Sequence, residues 1–175
     1  VIRLDDLPPP PEEATRHGLR FGPLEDEYFF TAQELAARAH SHNHFAYDPA
    51  LSDDLARHLF KEQLIHHRAS ARAKIFAAYD QESQLVGFIV ANRVQSFLPF
   101  GGPLLANLDF ICVDPENQHR GLGHALNLTA LRWLYEEGVR RVSVRTMVGN
   151  FAAQAILSRV GWRAMLAESV YHAQL

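Results

Sequence analysis

The sequence predicts a mixed α/β domain in which helices flank a mostly antiparallel sheet. Three observations carry this prediction. The chain has 175 residues, the usual length of one domain. Residues 74–113 contain three strand-like runs separated by short turns, as in an antiparallel meander. The rest of the chain reads as helices and as alternating helix and strand, which excludes a helical bundle and a β-sandwich.

The N-terminal part is predicted to begin with a loosely attached segment. Four consecutive prolines at positions 8–11 favour an extended polyproline conformation, so we divide the chain into a segment 1–18 and a domain 19–175. Residues 19–22 are predicted to form a short strand. Thr31, with Glu34 three residues later, has the pattern of a capping box and predicts a helix that starts there.

The next elements are a helix and three strands. Ser52 can cap the helix, and its apolar stripe is predicted at Leu55, Leu59, Leu64 and Ile65. Polar or glycine-containing turns at 80–84 and 99–103 separate strands predicted at 74–79, 85–97 and 104–113.

After Pro115 the apolar period becomes that of a helix. The pattern predicts a helix over 121–137 that ends at Gly138, then a strand over 141–148. A further helix is capped by Asn150 and ended by Gly161. Residues 162–175 are predicted to form one or two closing strands.

Composition excludes several classes of protein. A formal net charge of −3 and a pI near 6.4 argue against a general nucleic-acid binder. The longest apolar run, 85–91, is too short for a membrane span, and the first residues lack the pattern of a signal peptide. Because Cys112 is the only cysteine, the chain can form neither an internal disulfide nor a cysteine-rich zinc site. We expect a cytoplasmic protein, with Cys112 a buried structural thiol.

The segment that precedes the helix at 121–137 predicts an anion site. It contains Gln118-x-x-Gly121-x-Gly123 directly before the helical pattern. The first N–H groups of a helix have no partner within the helix, and glycines leave space in front of them. Together with the helix dipole, these groups suit a pyrophosphate. The segment is neither a P-loop nor a convincing dinucleotide fingerprint, because it lacks the lysine of the first and the third glycine of the second.

This motif, after a strand that ends in Val-Asp-Pro, resembles the acetyl-CoA signature of the GNAT acetyltransferase superfamily. Asn150-x-x-Ala153, followed by Gly161-Trp162, is similar to a second segment of that superfamily, and the resemblance covers residues 70–175. It implies a sheet with a splayed pair of parallel strands, here 104–113 and 141–148, and helices on both faces.

The resemblance implies acetyl-CoA as acyl donor, held by residues of the signature and of the neighbouring strand. The residues that it places at the donor are Ile111, Cys112, Val113, Gln118, His119, Arg120, Gly121, Leu122, Gly123, His124, Asn150 and Ala153.

The resemblance also assigns roles in the transfer. The N–H of Val113 would face the thioester oxygen and stabilise the oxyanion. Counted by strand parity, Asn107 and Asp109 lie on the same face as Val113, so Asp109 is the candidate base. The alternative for Asp109 is a structural ion pair with an arginine such as Arg145.

The general acid departs from the family pattern. Many members have a tyrosine seven residues after the motif asparagine, but this chain has Leu157 there. Ser158, Tyr171 or a water molecule could protonate the leaving thiolate instead.

The acceptor side carries a weaker resemblance. Asn43-His44-Phe45-x-x-Asp48-Pro49 is similar to a Ser-Arg-Phe-x-x-Asp segment of dTDP-fucosamine acetyltransferases, which acetylate the amine of a nucleotide-linked sugar. We therefore expect the acceptor near His42, His44, Phe45 and Asn107.

These observations together predict an N-acetyltransferase that moves an acetyl group to a small amine by direct attack in a ternary complex. The alternatives are an acetyltransferase for protein N-termini, lysines or amino acids, and a non-catalytic acyl-CoA-binding module. We expect a monomer or homodimer without a nucleic-acid or membrane partner. The alternating run His40-x-His42-x-His44 could bind a metal, but no cysteine or carboxylate completes a ligand set, so no metal is predicted. His66 and His67 are predicted to lie on a helix surface.

Overall fold

The computed structural model describes residues 2–3, 18–39, 52–94 and 104–168. The strands in these ranges are β1 Ile2–Arg3, β2 Arg20–Pro23, β3 Ala73–Tyr79, β4 Leu85–Val94, β5 Leu105–Val113 and β6 Arg141–Val144. The α-helices are α1 Phe29–Ala39, α2 Asp53–Ala69, α3 Leu122–Glu136 and α4 Phe151–Val160. Short 3-10 turns lie at Asp26–Tyr28 and Pro115–Asn117.

The strands form one mixed sheet in the order β1-β6-β5-β4-β3-β2. All neighbouring strands are antiparallel except β5 and β6, which run parallel. The predicted fold class, a mostly antiparallel sheet with one parallel strand pair, is therefore confirmed. Ile2 and Arg3, which the sequence assigns to the loosely attached segment, pair with Val142 and Arg141 at the edge of the sheet.

Two apolar clusters cover the two faces of the sheet. On one face, α3 contributes Leu126, Leu131 and Leu134 to a cluster with Ile89 and Leu108. The opposite face is covered by α1 and α2, in a cluster that includes Leu35, Leu64, Phe88, Val90 and Cys112. Helices on both faces thus bury the apolar side chains of β4 and β5, as predicted.

The first two helices differ in detail from the prediction. Helix α1 begins at Phe29 because the 3-10 turn leads directly into it, so Thr31 lies inside the helix and the predicted capping box is wrong. Helix α2 begins as predicted, and the Ser52 hydroxyl accepts from the Leu55 N–H at 3.3 Å. Its buried stripe is rotated relative to the prediction. Phe60 and Leu64 are buried, whereas Leu55 and Ile65 are 45% and 41% exposed.

The C-terminal elements are shorter than predicted. Strand β6 ends at Val144 rather than at position 148, and residues 162–168 contain no strand. The rest of the closing segment, residues 169–175, lies outside the described residues. Helix α4 has both predicted ends, with Asn150 as its N-cap and Gly161, at φ +97°, as its C-cap.

Candidate functional site

A cleft opens in the sheet where β5 and β6 separate. The two strands pair over four residues only, from Leu105 opposite Arg141 to Leu108 opposite Val144. Strand β5 continues to Val113. Its edge from Asp109 to Val113 therefore has no neighbouring strand on the β6 side among the described residues. We call this stretch of backbone the open edge.

Backbone groups of the open edge point into the cleft. The Asp114 N–H donates to the Val86 carbonyl at 2.9 Å, and Cys112 lies opposite Phe88. Because residues of an antiparallel strand face alternate edges in turn, Cys112 shares the β4 side with Asp114. The N–H and C=O groups of Ile111 and Val113 therefore face the cleft. Such groups can bind an extended ligand as an added strand would.

A β-bulge at Asp109 changes which side chains share a face. Leu108 pairs with Ala91 and Phe110 pairs with Val90, so Asp109 is the extra residue of β5. The prediction that Asn107 and Asp109 lie on the face of Val113 is therefore wrong. Val113 and Ile111 pack on the cluster beneath α3, whereas Asp109 and Phe110 face α2.

The Asp109 carboxylate has two partners on this face. The Asn92 amide donates to Asp109 Oδ2 at 3.0 Å, and His67 Nε2 of α2 lies 3.5 Å from the same oxygen. The side chains of His67 and Asp109 are 12% and 24% exposed. Asp109 thus pairs with His67 and Asn92 and not with Arg145, which was the partner expected if it had only a structural role.

His67 is a half-buried histidine, not the helix-surface residue that was predicted. Its ring lies 6.1 Å from the Phe110 ring, and its Nδ1 is buried without a hydrogen-bond partner in the described part of the chain. Burial lowers the pKa of His67, while Asp109 raises it and His66 lowers it further. A neutral ring at pH 7 follows from this balance. One signal in the sequence could have found His67: it follows Phe60 and Leu64 at helical spacing, on the stripe that is buried.

The loop after β5 leads into the N-terminus of α3. The Asp114 side chain caps the 3-10 turn by accepting a hydrogen bond from the Glu116 N–H. His119 and Gly121 then adopt positive φ values of +65° and +73°. Gly121 is the N-cap of α3, and the helical bond from Ala125 N–H to its carbonyl is 3.0 Å. The N–H groups of the first turn precede the first helical bond, as at any helix N-terminus, and they follow the loop that leaves the end of β5. Backbone N–H groups at a helix N-terminus can bind an anion, which is the role that the sequence predicts for this segment.

The signature residues occupy different environments. Gln118, His119 and Arg120 are exposed, and Arg120 donates to Asn117 Oδ1 at 3.1 Å. Leu122 and Gly123 are buried, and His124 is partly buried. A Cβ atom at Gly123 would lie 2.7 Å from Ile156 Cδ1, so this glycine allows α3 and α4 to approach closely.

Helix α4 lies beside this anion site. The Asn150 Oδ1 accepts from the Ala153 N–H at 3.1 Å and so caps the helix. Leu157 is partly buried, and Ser158 is exposed. Tyr171, the other candidate acid, lies outside the described residues, as do His42, His44 and Phe45 on the acceptor side. Asn107 lies within the described residues, and its Oδ1 accepts a short hydrogen bond from the Ser143 hydroxyl.

Within the described ranges, no group of three or more histidine, cysteine or carboxylate side chains could hold a metal, and the run from His40 to His44 lies outside them. In the same ranges, no helix is both long enough and apolar enough to cross a membrane.

Comparison with known families shows to which family the chain belongs. The family model of the GNAT acetyltransferases matches residues 25–162. The chain belongs to this family. The family predicted from the sequence is therefore confirmed, and the matched range includes β5, β6 and the N-terminus of α3.

Curated relatives of this GNAT domain are mycothiol acetyltransferases. The one of Amycolatopsis mediterranei is 36% identical over 89 residues, 50% of this chain and 29% of the relative. The one of Saccharomonospora viridis is 32% identical over 98 residues, 55% of this chain and 32% of the relative. The match thus spans about a third of each curated relative.

Solved structures share the fold at low identity. An aminoglycoside N-acetyltransferase, AAC(6')-Iy in complex with CoA, has a TM-score of 0.67 at 16% identity and covers 90% of this chain and 95% of its own. A ribosomal-protein-alanine N-acetyltransferase of Brucella melitensis has a TM-score of 0.65 at 15% identity, with 89% of this chain and 99% of its own covered.

Proposed function

We propose that this GNAT domain is an acetyl-CoA-dependent N-acetyltransferase that acts on a small amine by direct attack in a ternary complex. The observation that carries the proposal is the open edge of β5 beside the N-terminus of α3. One end of this cleft offers backbone donors and acceptors to an extended arm. The other offers N–H groups and a helix dipole to a pyrophosphate.

The donor is proposed to lie along the open edge. The amide groups of its pantetheine arm would pair with the backbone of Ile111 and Val113, whose N–H and C=O groups face the cleft. Cys112 would contribute only its place in the strand, because its backbone faces β4 and its side chain is buried on the α2 side. The pyrophosphate would meet the N–H groups that follow Gly121, and Asn150 would add its amide N–H to the arm.

The transfer itself needs one oxyanion donor and two proton movements. The amine nitrogen forms a bond to the acetyl carbon, the bond from that carbon to sulfur breaks, and CoA leaves as the thiolate. The Val113 N–H is the proposed donor to the carbonyl oxygen on which negative charge develops. The products are the acetamide and, once the thiolate takes up a proton, free CoA.

Asp109 is the proposed base. It lies where β5 and β6 separate, and its carboxylate is 24% exposed, so an amine at the mouth of the cleft can reach it directly or through water. Ser158 on α4 and Tyr171 remain the side-chain candidates for the acid, and solvent water is the third because a thiolate is a tolerable leaving group.

The proposed acceptor is the amine of a sugar-bearing small molecule. Asn107 of β5 and Ser143 of β6 are register partners, and they place an amide and a hydroxyl group close to Asp109 along the sheet. Their amide and hydroxyl groups can bind hydroxyl groups of a sugar. Relatives named for mycothiol and for aminoglycosides support this class, and a nucleotide-linked amino sugar is the specific candidate from the sequence. A peptide N-terminus is the second candidate, supported by the ribosomal-protein-alanine acetyltransferase.

The proposal is tested by following thiol release from acetyl-CoA with a chromogenic disulfide. Amino sugars, a nucleotide-linked amino sugar, an aminoglycoside, free amino acids and a peptide with a free N-terminus serve as acceptors. We expect release that requires both the chain and a sugar amine. Release with the peptide alone would favour the second candidate. Calorimetric binding of acetyl-CoA without release for any acceptor would leave a non-catalytic acyl-CoA-binding module.

A variant tests the base. Asp109→Asn keeps the shape of the side chain but cannot take up the proton, so kcat should fall about 100-fold or more, the usual contribution of a general base. The dissociation constant of acetyl-CoA should stay within about twofold, because the Asp109 side chain faces α2, away from the backbone of Ile111 and Val113 to which the donor is proposed to bind. A fully active Asp109→Asn variant would show that Asp109 is not the base.

A further inference from the structure

The Asp109 carboxylate is held by one of its two oxygens only. Asn92 Nδ2 and His67 Nε2 both approach Oδ2, at 3.0 and 3.5 Å. Oδ1 has no hydrogen bond or ion pair among the described residues. The two partners come from different elements, β4 and α2, so they fix the carboxylate from two directions.

The chemistry of the two partners suits a carboxylate that must accept a proton. The asparagine amide donates a hydrogen bond and the neutral imidazole lies 3.5 Å away, and neither places a positive charge beside the carboxylate. An arginine or lysine in their place would stabilise the ionised form strongly and oppose the uptake of a proton.

The surroundings of His67 favour the neutral ring. Its Nδ1 is buried and unpartnered in the described part of the chain, so a second ring proton there would lack an acceptor. With Nε2 facing the carboxylate, the single proton belongs on Nε2 and the lone pair on Nδ1. Phe110 packs against the ring from β5, and burial acts against its charged form.

Charged groups approach His67 from several elements. On β5 the group is Asp109, and on α2 the ring of His66 lies 6.0 Å away and Arg68 is the next residue. A pocket of about 170 Å³ lies beside the ring. The charged residues that line it are Glu25, Asp26, Arg68 and Lys74. Arg68 is paired with Asp26 at 2.9 Å, whereas the Asp109 carboxylate lies 3.5 Å from the ring nitrogen Nε2.

We infer that His67 and Asn92 are positioning residues, which hold Oδ2 of Asp109 so that Oδ1 faces the acceptor amine. This inference rests on the proposed function, because it needs Asp109 to act as the base. Neither residue belongs to the signature that binds acetyl-CoA, and both come from parts of the chain that the sequence analysis left without a role.

Steady-state kinetics of four single variants test the inference. The variants are His67→Ala, His67→Gln, Asn92→Ala and, as matched control, His58→Ala, which replaces an exposed histidine of the same helix. Each is assayed for kcat, for both KM values, for acetyl-CoA affinity by calorimetry and for kcat/KM against pH. Thermal unfolding establishes that each variant is folded at the assay temperature.

The inference predicts a loss in kcat alone. His67→Ala and Asn92→Ala should lower kcat about 10- to 100-fold, the size of effect that a displaced catalytic group causes, with acetyl-CoA affinity unchanged. His67→Gln, whose amide can present an N–H to Oδ2, should recover most of kcat near pH 8. Its kcat/KM should stay high to lower pH than that of the wild type, because no imidazole charges beside Asp109. His58→Ala should match the wild type.

Other outcomes overturn the inference in distinguishable ways. If the wild type releases thiol and His67→Ala keeps kcat within about twofold, His67 positions nothing and the proposed function stands. If His67→Gln has the pH profile of the wild type, the imidazole has no part in the fall of kcat/KM at low pH, and the inference also fails. If the wild type binds acetyl-CoA but releases no thiol with any amine, the proposed function fails and this inference fails with it.

Discussion

A substitution at Gly121 distinguishes effects on acetyl-CoA binding from effects on the stability of the fold. It is the N-cap of α3 and adopts φ +73°, a left-handed conformation that costs a residue with a Cβ atom about 1–2 kcal/mol. In Gly121→Ala this strain either remains in the folded state or is relieved by a shift of the loop. A shift would move the N–H groups of the first turn away from the pyrophosphate.

The magnitude follows from the strain. A loss of about 1–2 kcal/mol in donor binding corresponds to a rise of about 5- to 30-fold in the dissociation constant of acetyl-CoA. Strain that stays in the loop lowers the melting temperature instead, by about 2–8 °C for a domain of this size. Calorimetric titration with acetyl-CoA and thermal unfolding without it measure the two effects separately.

Gly138, just beyond the other end of α3, provides a matched control. Gly138 follows the C-terminal end of α3 at φ +83°, and a Cβ atom there would meet nothing within 4 Å. Gly138→Ala therefore carries the same backbone strain far from the anion site. We expect it to lower the melting temperature and leave acetyl-CoA affinity unchanged. Equal affinity losses in the two variants, or wild-type affinity in Gly121→Ala, would refute the placement of the donor.

Three further predictions use other residues of the site. Asn150→Asp keeps an acceptor for the Ala153 N–H but loses the amide donor, so the melting temperature should hold while acetyl-CoA binds more weakly; Asn150→Ala should also lose about 1 kcal/mol of stability with the cap. If Asn150→Asp binds acetyl-CoA as the wild type does, Asn150 only caps α4. Burial raises the pKa of Cys112, which is 1% exposed, so iodoacetamide should label it only upon unfolding, and labelling of the native chain at the rate of a free thiol would contradict the burial. Because the folded-state pKa of His67 is lowered, the stability linked to its neutral ring is complete above about pH 6.5 and is lost as the pH falls toward that lowered value. Urea unfolding of His67→Gln should show less acid destabilisation than the wild type below pH 6.5, and parallel pH profiles would count against a buried neutral ring.

Local patterns in the sequence predict most elements of the fold. Caps at Ser52 and Asn150 and the glycines at 138 and 161 mark helix ends through bonds within a few residues, and all four are observed. The prediction of an anion site is equally local, because the glycines and the helix that follows them lie in one segment. Such features need no knowledge of which strand pairs with which.

The face of Asp109 depends on pairing and could not be counted from the sequence. Parity along a strand holds only while each residue has one partner, and the bulge opposite Val90 and Ala91 adds a residue. That extra residue turns Asp109 toward α2, where it meets His67. The role of His67 depends in turn on the stripe of α2 that is buried. The predicted stripe shares Leu64 with it but includes Leu55 and Ile65, which are exposed.

Acetyl-CoA is proposed to bind along the open edge of β5 and at the N-terminus of α3. Residue-resolved amide hydrogen exchange with and without acetyl-CoA tests it most directly. We predict slower exchange at Ile111, at Val113 and at the start of α3 when the donor is present. Cys112 should not change, because its N–H already faces β4. Unchanged exchange at Ile111 and Val113 with acetyl-CoA at about millimolar concentration would contradict the account.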